Sequence, residues 1–270
     1  MDVILSYLIY HARTLLACSL TCYSWYIATL PHLHHSLATD DKISDKLDKR
    51  RRWPTPLRQS HDLGLLPLVK RFCIRLSFRG EFTSKRLRGY NFHCFSALTN
   101  LHELGIDNLQ VSSFMPNLRQ CFGHFAPTLR FLALKKPGGS PRQILYFIGL
   151  FPNLQDLKLF YSISEEDPES TADADLIPLT VPPLRGRLTL TCLAGERLVK
   201  EMIAVFGGPR FRSMDLFRVT CTRLLLGACA ETLETLRLYP TDVDGKDSLK
   251  RKELNIGSNS MVSSGRFVSE

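Results

Sequence analysis

Between residues 62 and 240 one short hydrophobic phrase, apolar-x-x-apolar-x-apolar, recurs seven times. It falls at Val69/Phe72/Ile74, Leu101/Leu104/Ile106, Leu129/Leu132/Leu134, Leu154/Leu157/Leu159, Arg185/Leu188/Leu190, Phe211/Met214/Leu216 and Leu233/Leu236/Leu238. Arg185 is the one break, and Leu184 stands beside it. Two apolar positions flanking a single residue place both side chains on one face of a strand, so each phrase predicts a short strand with one buried face. The middle positions are 22 to 32 residues apart. Segments of helical period fill the gaps, at Phe114–Phe125, Gln143–Phe151, Arg197–Phe206 and Thr222–Cys229. Gly207-Gly208-Pro209 is a stop signal for the third of them. Turn-like phrases such as Leu98-Thr99-Asn100, Ala126-Pro127-Thr128 and Phe151-Pro152-Asn153 lead into the strands.

One strand and one helix cannot bury a two-sided core alone, so successive units must stack and share an interior. The period and the phrase over residues 69–238 resemble a leucine-rich repeat of an irregular, long-period kind, without the Asn or Cys that closes each phrase in regular repeats. An ordinary α/β sheet of alternating strands and helices gives a similar pattern.

The N-terminal stretch has a different texture. Ile4, Leu5 and Leu8 lie on one helical face, and Leu15-Leu16-Ala17-Cys18-Ser19-Leu20-Thr21-Cys22-Tyr23-Ser24-Trp25-Tyr26-Ile27-Ala28 supplies more apolar positions than a small helical hairpin can hide. Such a surplus implies a partner surface. These residues resemble the F-box family. Ile4 and Leu8 match its Ile-x-x-x-Leu phrase, Leu15, Leu16 and Leu20 its Leu-Leu helix, and Cys22 and Trp25 its Cys-x-x-Trp. The Leu-Pro phrase that opens the motif is missing, so the motif is expected to be N-terminally incomplete. Phrases such as Leu15–Tyr26 and Leu224–Leu238 look like the F-box proteins of mushroom-forming fungi.

The expected fold is therefore α/β: a short helical F-box-like motif over 1–40, a charged linker over 41–61, a leucine-rich-repeat-like solenoid over 62–240 with a parallel sheet on its concave face, and a poorly ordered polar tail over 241–270. The resemblance implies a non-catalytic substrate-recognition subunit of an SCF-type cullin-RING ubiquitin ligase. Ile4, Leu5, Leu8, Leu15, Leu16, Leu20, Cys22 and Trp25 would dock the Skp-type adaptor, and the repeats would hold a protein target. A leucine-rich-repeat scaffold unconnected with ubiquitin, its N-terminal helices serving only as a cap, is the alternative.

Composition narrows the chemistry. The 270 residues carry 35 Lys+Arg and 26 Asp+Glu, a net charge of +9, yet the excess is scattered. Its one dense patch, Lys49-Arg50-Arg51-Arg52, fits a solvated linker, and an acidic run follows from Glu165 to Asp175. Basic residues on the strands (Arg71, Arg75, Lys158, Arg187, Arg237) share their face with Glu103, Asp107, Asp156 and Asp215, which argues against a nucleic-acid partner. Eight cysteines are too sparse for a disulfide-stapled domain and fit a reducing, cytoplasmic or nuclear setting. No signal peptide or membrane span is expected. Cys18, Cys22, His32, His34 and His35 do not follow zinc spacing, and no hydrolase, phosphate-loop or zinc-protease motif occurs, so neither metal nor cofactor is expected.

Alternation then selects the candidate target surface. The residue after the last apolar position of each phrase forms a column on the opposite strand face: Arg75, Asp107, Lys135, Phe160, Thr191, Phe217 and Tyr239. Its last part, Phe160, Thr191, Phe217 and Tyr239, is expected to present exposed aromatic rings to the target.

Overall fold

The computed structural model describes residues 2–8, 11–42, 55–77, 92–111, 118–161, 184–192, 196–205, 209–217, 222–239 and 252–255. The basic patch at 49–52, the acidic run at 165–175, residues 114–117 of the first expected helix, Gly207-Gly208 and most of the tail lie outside the described residues.

Three helices open the chain: α1 (Asp2–Tyr7), α2 (Ala12–Ser19) and α3 (Tyr23–Leu33). Then come β1 (Ser36–Lys42), α4 (Thr55–Asp62), β2 (Arg71–Ser77) and β3 (Glu103–Asp107). The following units are α5 (Leu118–Phe122) with β4 (Phe131–Lys135), and α6 (Pro141–Ile148) with β5 (Asp156–Tyr161). Next are β6 (Arg185–Cys192), α7 (Glu196–Val205) with β7 (Arg210–Phe217), and α8 (Thr222–Cys229) with β8 (Thr235–Tyr239). A last strand, β9, covers Lys252–Asn255. The strands lie in chain order in one open sheet, β1 to β8 parallel and β9 antiparallel at the edge.

The seven hydrophobic phrases supply β2 to β8, and the register aligns them residue for residue. Phe72, Leu104, Leu132, Leu157, Leu188, Met214 and Leu236 form one row. Ile74, Ile106, Leu134, Leu159, Leu190, Leu216 and Leu238 form the next. All but Leu238 are buried, and they pack under the helices. The sheet also starts earlier than the phrases do, because β1 pairs with β2 from Ser36↔Arg71 to Lys42↔Ser77. It thus begins within the segment read from sequence as motif and linker, and β9 falls within the segment read as tail.

The irregular fifth phrase has a local cause. Between β6 and β7 the register slips at Gly186/Arg187. Leu184, not Arg185, therefore occupies the buried position, 4% exposed.

Two devices recur from unit to unit. The amide just before a strand and the strand's first amide donate to one carbonyl of the preceding unit: Lys70 and Arg71 to His35, His102 and Glu103 to Lys70, Arg130 and Phe131 to His102, Gln155 and Asp156 to Arg130. The turn phrases add side-chain ties, Asn100 Nδ2 donating to Pro67 O at 2.9 Å and Asn153 Nδ2 to Pro127 O at 3.0 Å. Both satisfy turn carbonyls that pair with no strand. Inside, Phe72, Phe95, Phe122, Phe147 and Phe151 form a chain of ring contacts, centroids 5.2 to 6.0 Å apart, that crosses the core between units. α6 begins with a capping box in which Ser140 Oγ accepts from the Gln143 amide and the Gln143 side chain accepts from the Ser140 amide, both at 3.2 Å.

Candidate functional site

The short N-terminal helices divide their apolar residues between inside and outside. Neighbouring residues on a helix point about 100° apart, and on these helices Leu15 faces the interior while Leu16 does not. Leu5 and Leu15 are fully buried, whereas Ile4, Leu16 and Leu20 are 60%, 53% and 80% exposed. Leu8 and Trp25 are half-buried and Cys22 is exposed. The eight residues expected to dock a partner thus separate into core (Leu5, Leu15), boundary (Leu8, Trp25) and surface (Ile4, Leu16, Leu20, Cys22). Tyr7, Tyr23, Tyr26 and Ile27 join the surface group, and the Tyr23 and Tyr26 rings lie 6.5 Å apart. For Tyr23, Tyr26 and Ile27 the place in the apolar run was the available sequence signal, since a hairpin of this size has too little interior for all of them.

The second candidate surface is the sheet face turned away from the helices. Its three rows follow from the register. The first is Arg71, Glu103, Phe131, Asp156, Arg187, Ser213 and Thr235; the second is Cys73, Gly105, Ala133, Lys158, Thr189, Asp215 and Arg237. The third is the column expected from alternation, Arg75, Asp107, Lys135, Phe160, Thr191, Phe217 and Tyr239.

Phe160, Thr191, Phe217 and Tyr239 therefore do share one row. The rings of Phe160, Phe217 and Tyr239, however, are half-buried instead of exposed. Phe217 and Tyr239 stack with centroids 4.0 Å apart and planes 6° apart, and the Lys135 ammonium sits 5.7 Å from the centroid of Phe160. Stacking across adjacent strands hides one face of each ring of the pair.

Most of the face's positive charge is neutralised within the face. Arg71 Nε is 3.3 Å from Glu103 Oε2, and Arg75 Nε donates to Asp107 Oδ2 at 3.0 Å. Arg187 donates through Nε and Nη2 to Asp215 Oδ2, and an Arg237 nitrogen lies 3.7 Å from Asp215 Oδ1. The bond to Asp215 raises the Arg187 pKa above the ordinary guanidinium value. Burial raises Asp156 above the ordinary carboxylate value; Asp215 and Glu103 add to the rise, and Lys158 and Arg187 oppose it. Lys135 and Lys158 are different. Each is held on a ring, Lys158 at 5.0 Å from the centroid of Phe131, with no carboxylate within ion-pair distance among the described residues.

Over β1 to β5 this face is hollowed into an open trough of about 540 Å³. Its floor is small because the second row holds Cys73, Gly105 and Ala133, continued by Ala38 on β1. The two arginine–carboxylate pairs form its sides, and Phe131, Lys135, Lys158 and Phe160 close one end. Sequence alternation located the rows but not the trough, which depends on the volumes of neighbouring residues within a row. A Cβ at Gly105 would lie 3.0 Å from Cys73 Sγ, so the floor is tightly set at that point.

Among the described residues no group of three or more His, Cys, Asp and Glu side chains is placed to hold a metal ion, and no helix is long and apolar enough to cross a membrane. Burial pushes the Cys121 thiol up to about 11, leaving it a core group instead of a nucleophile. The arrangement as a whole offers contact surfaces: an apolar one on the N-terminal helices and a charged, aromatic one on the sheet. No protein-family model matches the chain, and neither a curated protein nor a solved structure matches it significantly.

Proposed function

We propose that this chain is a non-catalytic substrate-recognition subunit of an SCF-type cullin-RING ubiquitin ligase in the cytoplasm or nucleus. In this reading the N-terminal helices act as an F-box and dock a Skp-type adaptor, and the stacked units form a leucine-rich-repeat solenoid whose outer sheet face holds a protein target. The observation that carries it is the outward projection of Ile4, Leu16 and Leu20 from helices whose interior is already filled by Leu5 and Leu15. Exposed leucines on so small a helical unit are costly unless another protein covers them. The mechanism is proximity: a target held on the sheet meets the ligase's ubiquitin carrier at raised effective concentration, with no bond made or broken by this chain.

The test is co-purification of the full chain with the Skp-type adaptor, compared with Leu16→Asp/Leu20→Asp. Binding by the parent and its loss in the variant is the expected result; a parent that fails to bind overturns the reading. A second reading, a repeat scaffold with a helical cap, draws on the direct passage from α3 through His34 and His35 into β1, whose preceding carbonyl, His35 O, takes the amides of Lys70 and Arg71. It predicts that Leu16→Asp/Leu20→Asp leaves every partner interaction unchanged.

A further inference from the structure

We propose that the trough over β1 to β5 binds an extended acidic segment of a partner protein, with carboxylates of that segment received at Lys135 and Lys158. This rests on the protein-binding reading of the sheet face and specifies where on the face, and by what chemistry, recognition takes place.

Four observations converge on it. The floor of Ala38, Cys73, Gly105 and Ala133 lets another backbone approach closely across four strands, where larger side chains would hold it off. The sides are pre-paired: Arg71 with Glu103 and Arg75 with Asp107. Those four charges cancel in pairs and leave no net demand for a counter-charge. Lys135 and Lys158 make no such pair, although Asp156 on the same face interacts with Lys158 and leaves Lys135 the less compensated of the two. They stand on adjacent strands at diagonal positions, since Ala133 pairs with Lys158 and Lys135 with Phe160, a separation of roughly 7–8 Å between backbones. Their ammonium groups turn to opposite sides of that diagonal, Lys158 toward Phe131 in the first row and Lys135 toward Phe160 in the third, so each offers its own contact to an acidic segment. Finally, each ammonium rests on an aromatic ring, Lys135 on Phe160 and Lys158 on Phe131. A cation on a ring face keeps its charge and most of its donors free for an anion, so the rings position the lysines without neutralising them.

The surplus of charge complementarity therefore points to an anion, and the long shallow floor to an extended chain. The trough's own carboxylates, Glu103 and Asp107, line the side walls and would repel a polyanion laid along its whole length. They are compatible with a segment carrying acid at one end only. That favours a peptide over nucleic acid, whose phosphates are evenly spaced.

The test uses a randomised decapeptide pool passed over the immobilised full chain, with the retained peptides sequenced. Asp and Glu should be enriched at one or two neighbouring positions by about three- to tenfold over the input, the scale expected of two partly exposed charge pairs. Lys135→Ala/Lys158→Ala should bring that enrichment back to input. Ala133→Leu, which fills the floor without touching charge, should lower total retention while keeping the acidic preference of what remains. Circular dichroism and thermal melts confirm that both variants fold.

Several results would overturn the proposal. One is a retained pool without acidic bias, or one equally acidic on Lys135→Ala/Lys158→Ala. Another is displacement of the retained peptides by an equal concentration of a DNA oligonucleotide, which would assign the lysines to phosphate. A third is no retention at all together with a Cys73 thiol shielded from iodoacetamide in the free chain, which would assign the trough to the chain itself. Adaptor binding, measured on the same preparations, separates this proposal from the ubiquitin-ligase reading. Acidic selection without adaptor binding supports the trough and removes the ligase; adaptor binding without acidic selection removes the trough alone.

Discussion

Arg187 gives both Nε and Nη2 to a single oxygen of Asp215, and the two partners sit in unequal surroundings: the Asp215 side chain is 6% exposed, the Arg187 side chain 42%. Removing one partner therefore differs from removing the other. Without Arg187 the carboxylate stays buried with only the Arg237 nitrogen at 3.7 Å. Without Asp215, the guanidinium can turn into water. Loss of a partner from a fully buried pair costs about 3–5 kcal/mol, and the exposure of Arg187 lowers that range here. We expect Arg187→Ala to destabilise by about 2 kcal/mol and Asp215→Ala by about half as much. Urea unfolding of the two variants measures the difference, and equal losses would refute the asymmetry.

Acid should weaken the fold through its histidines. Burial holds the pKa values of His34, His35 and His124 below the ordinary 6.5. A histidine depressed in the folded state is protonated more readily when unfolded. Its contribution is intact above about pH 6.5 and is lost as the pH falls through that value toward the folded pKa. Asp156 acts in the opposite sense: its raised pKa favours the folded state as the medium becomes acidic. The histidine effect is therefore read by difference. Between about pH 7.5 and 5.5 the parent should lose more Tm than His34→Gln/His35→Gln/His124→Gln, and parallel curves would exclude the histidines.

The rows of the sheet were legible because a half-buried strand writes its two faces into alternate letters, and seven aligned phrases repeat that message. From Arg75 to Tyr239 the outward column was readable residue by residue. What alternation cannot express is how neighbours on a face treat each other. Phe217 and Tyr239 read as two exposed rings but form one stacked pair, and Lys135 and Lys158 read as scattered charge but rest on rings. The trough was hidden for a related reason. Cys73, Gly105 and Ala133 are separated by 28 to 32 residues in the chain and become neighbours only through register. β1 was missed because Ser36–Lys42 lacks the repeated phrase and is recruited by pairing with β2.

On the N-terminal helices, stability and binding should separate by residue. Leu15 is fully buried, so Leu15→Ala should destabilise by about 2–4 kcal/mol through lost contacts and the cavity left behind. Leu16 and Leu20 lie outside, and Leu16→Ala and Leu20→Ala should each change stability by about 0.5 kcal/mol or less. If these leucines anchor a partner, the same two substitutions weaken adaptor binding by roughly tenfold or more each, the range of interface hot spots. Calorimetric titration beside thermal melts checks both halves. Leucines that stabilise the free chain as strongly as Leu15 does would place them in a core and remove the docking argument.

Gly186 should be the least replaceable glycine among those described. Its φ of +90° is one that side-chain-bearing residues rarely adopt, and a Cβ there would stand 2.0 Å from the carbonyl oxygen of Gln155. That oxygen cannot withdraw, because it already accepts the Arg187 amide at 2.8 Å and so ties β6 to the preceding unit. Gly186 is also the point at which the register slips toward β7. Gly186→Ala must therefore strain the backbone, break the Arg187 bond, or move the slip along the strand. A change of register would displace Leu188 and Leu190 from the interior, so strain and a lost bond are the lesser penalties. We expect a loss of about 2–4 kcal/mol from the strained dihedral and the unsatisfied carbonyl together. Gly105→Ala is the contrast, since the one tight contact of its new Cβ is with the Cys73 side chain, at Sγ 3.0 Å, and it should cost about 1 kcal/mol or less. Urea unfolding of the pair provides the measurement. A Gly186→Ala variant as stable as Gly105→Ala would mean that the slip at Gly186/Arg187 is not fixed by the fold.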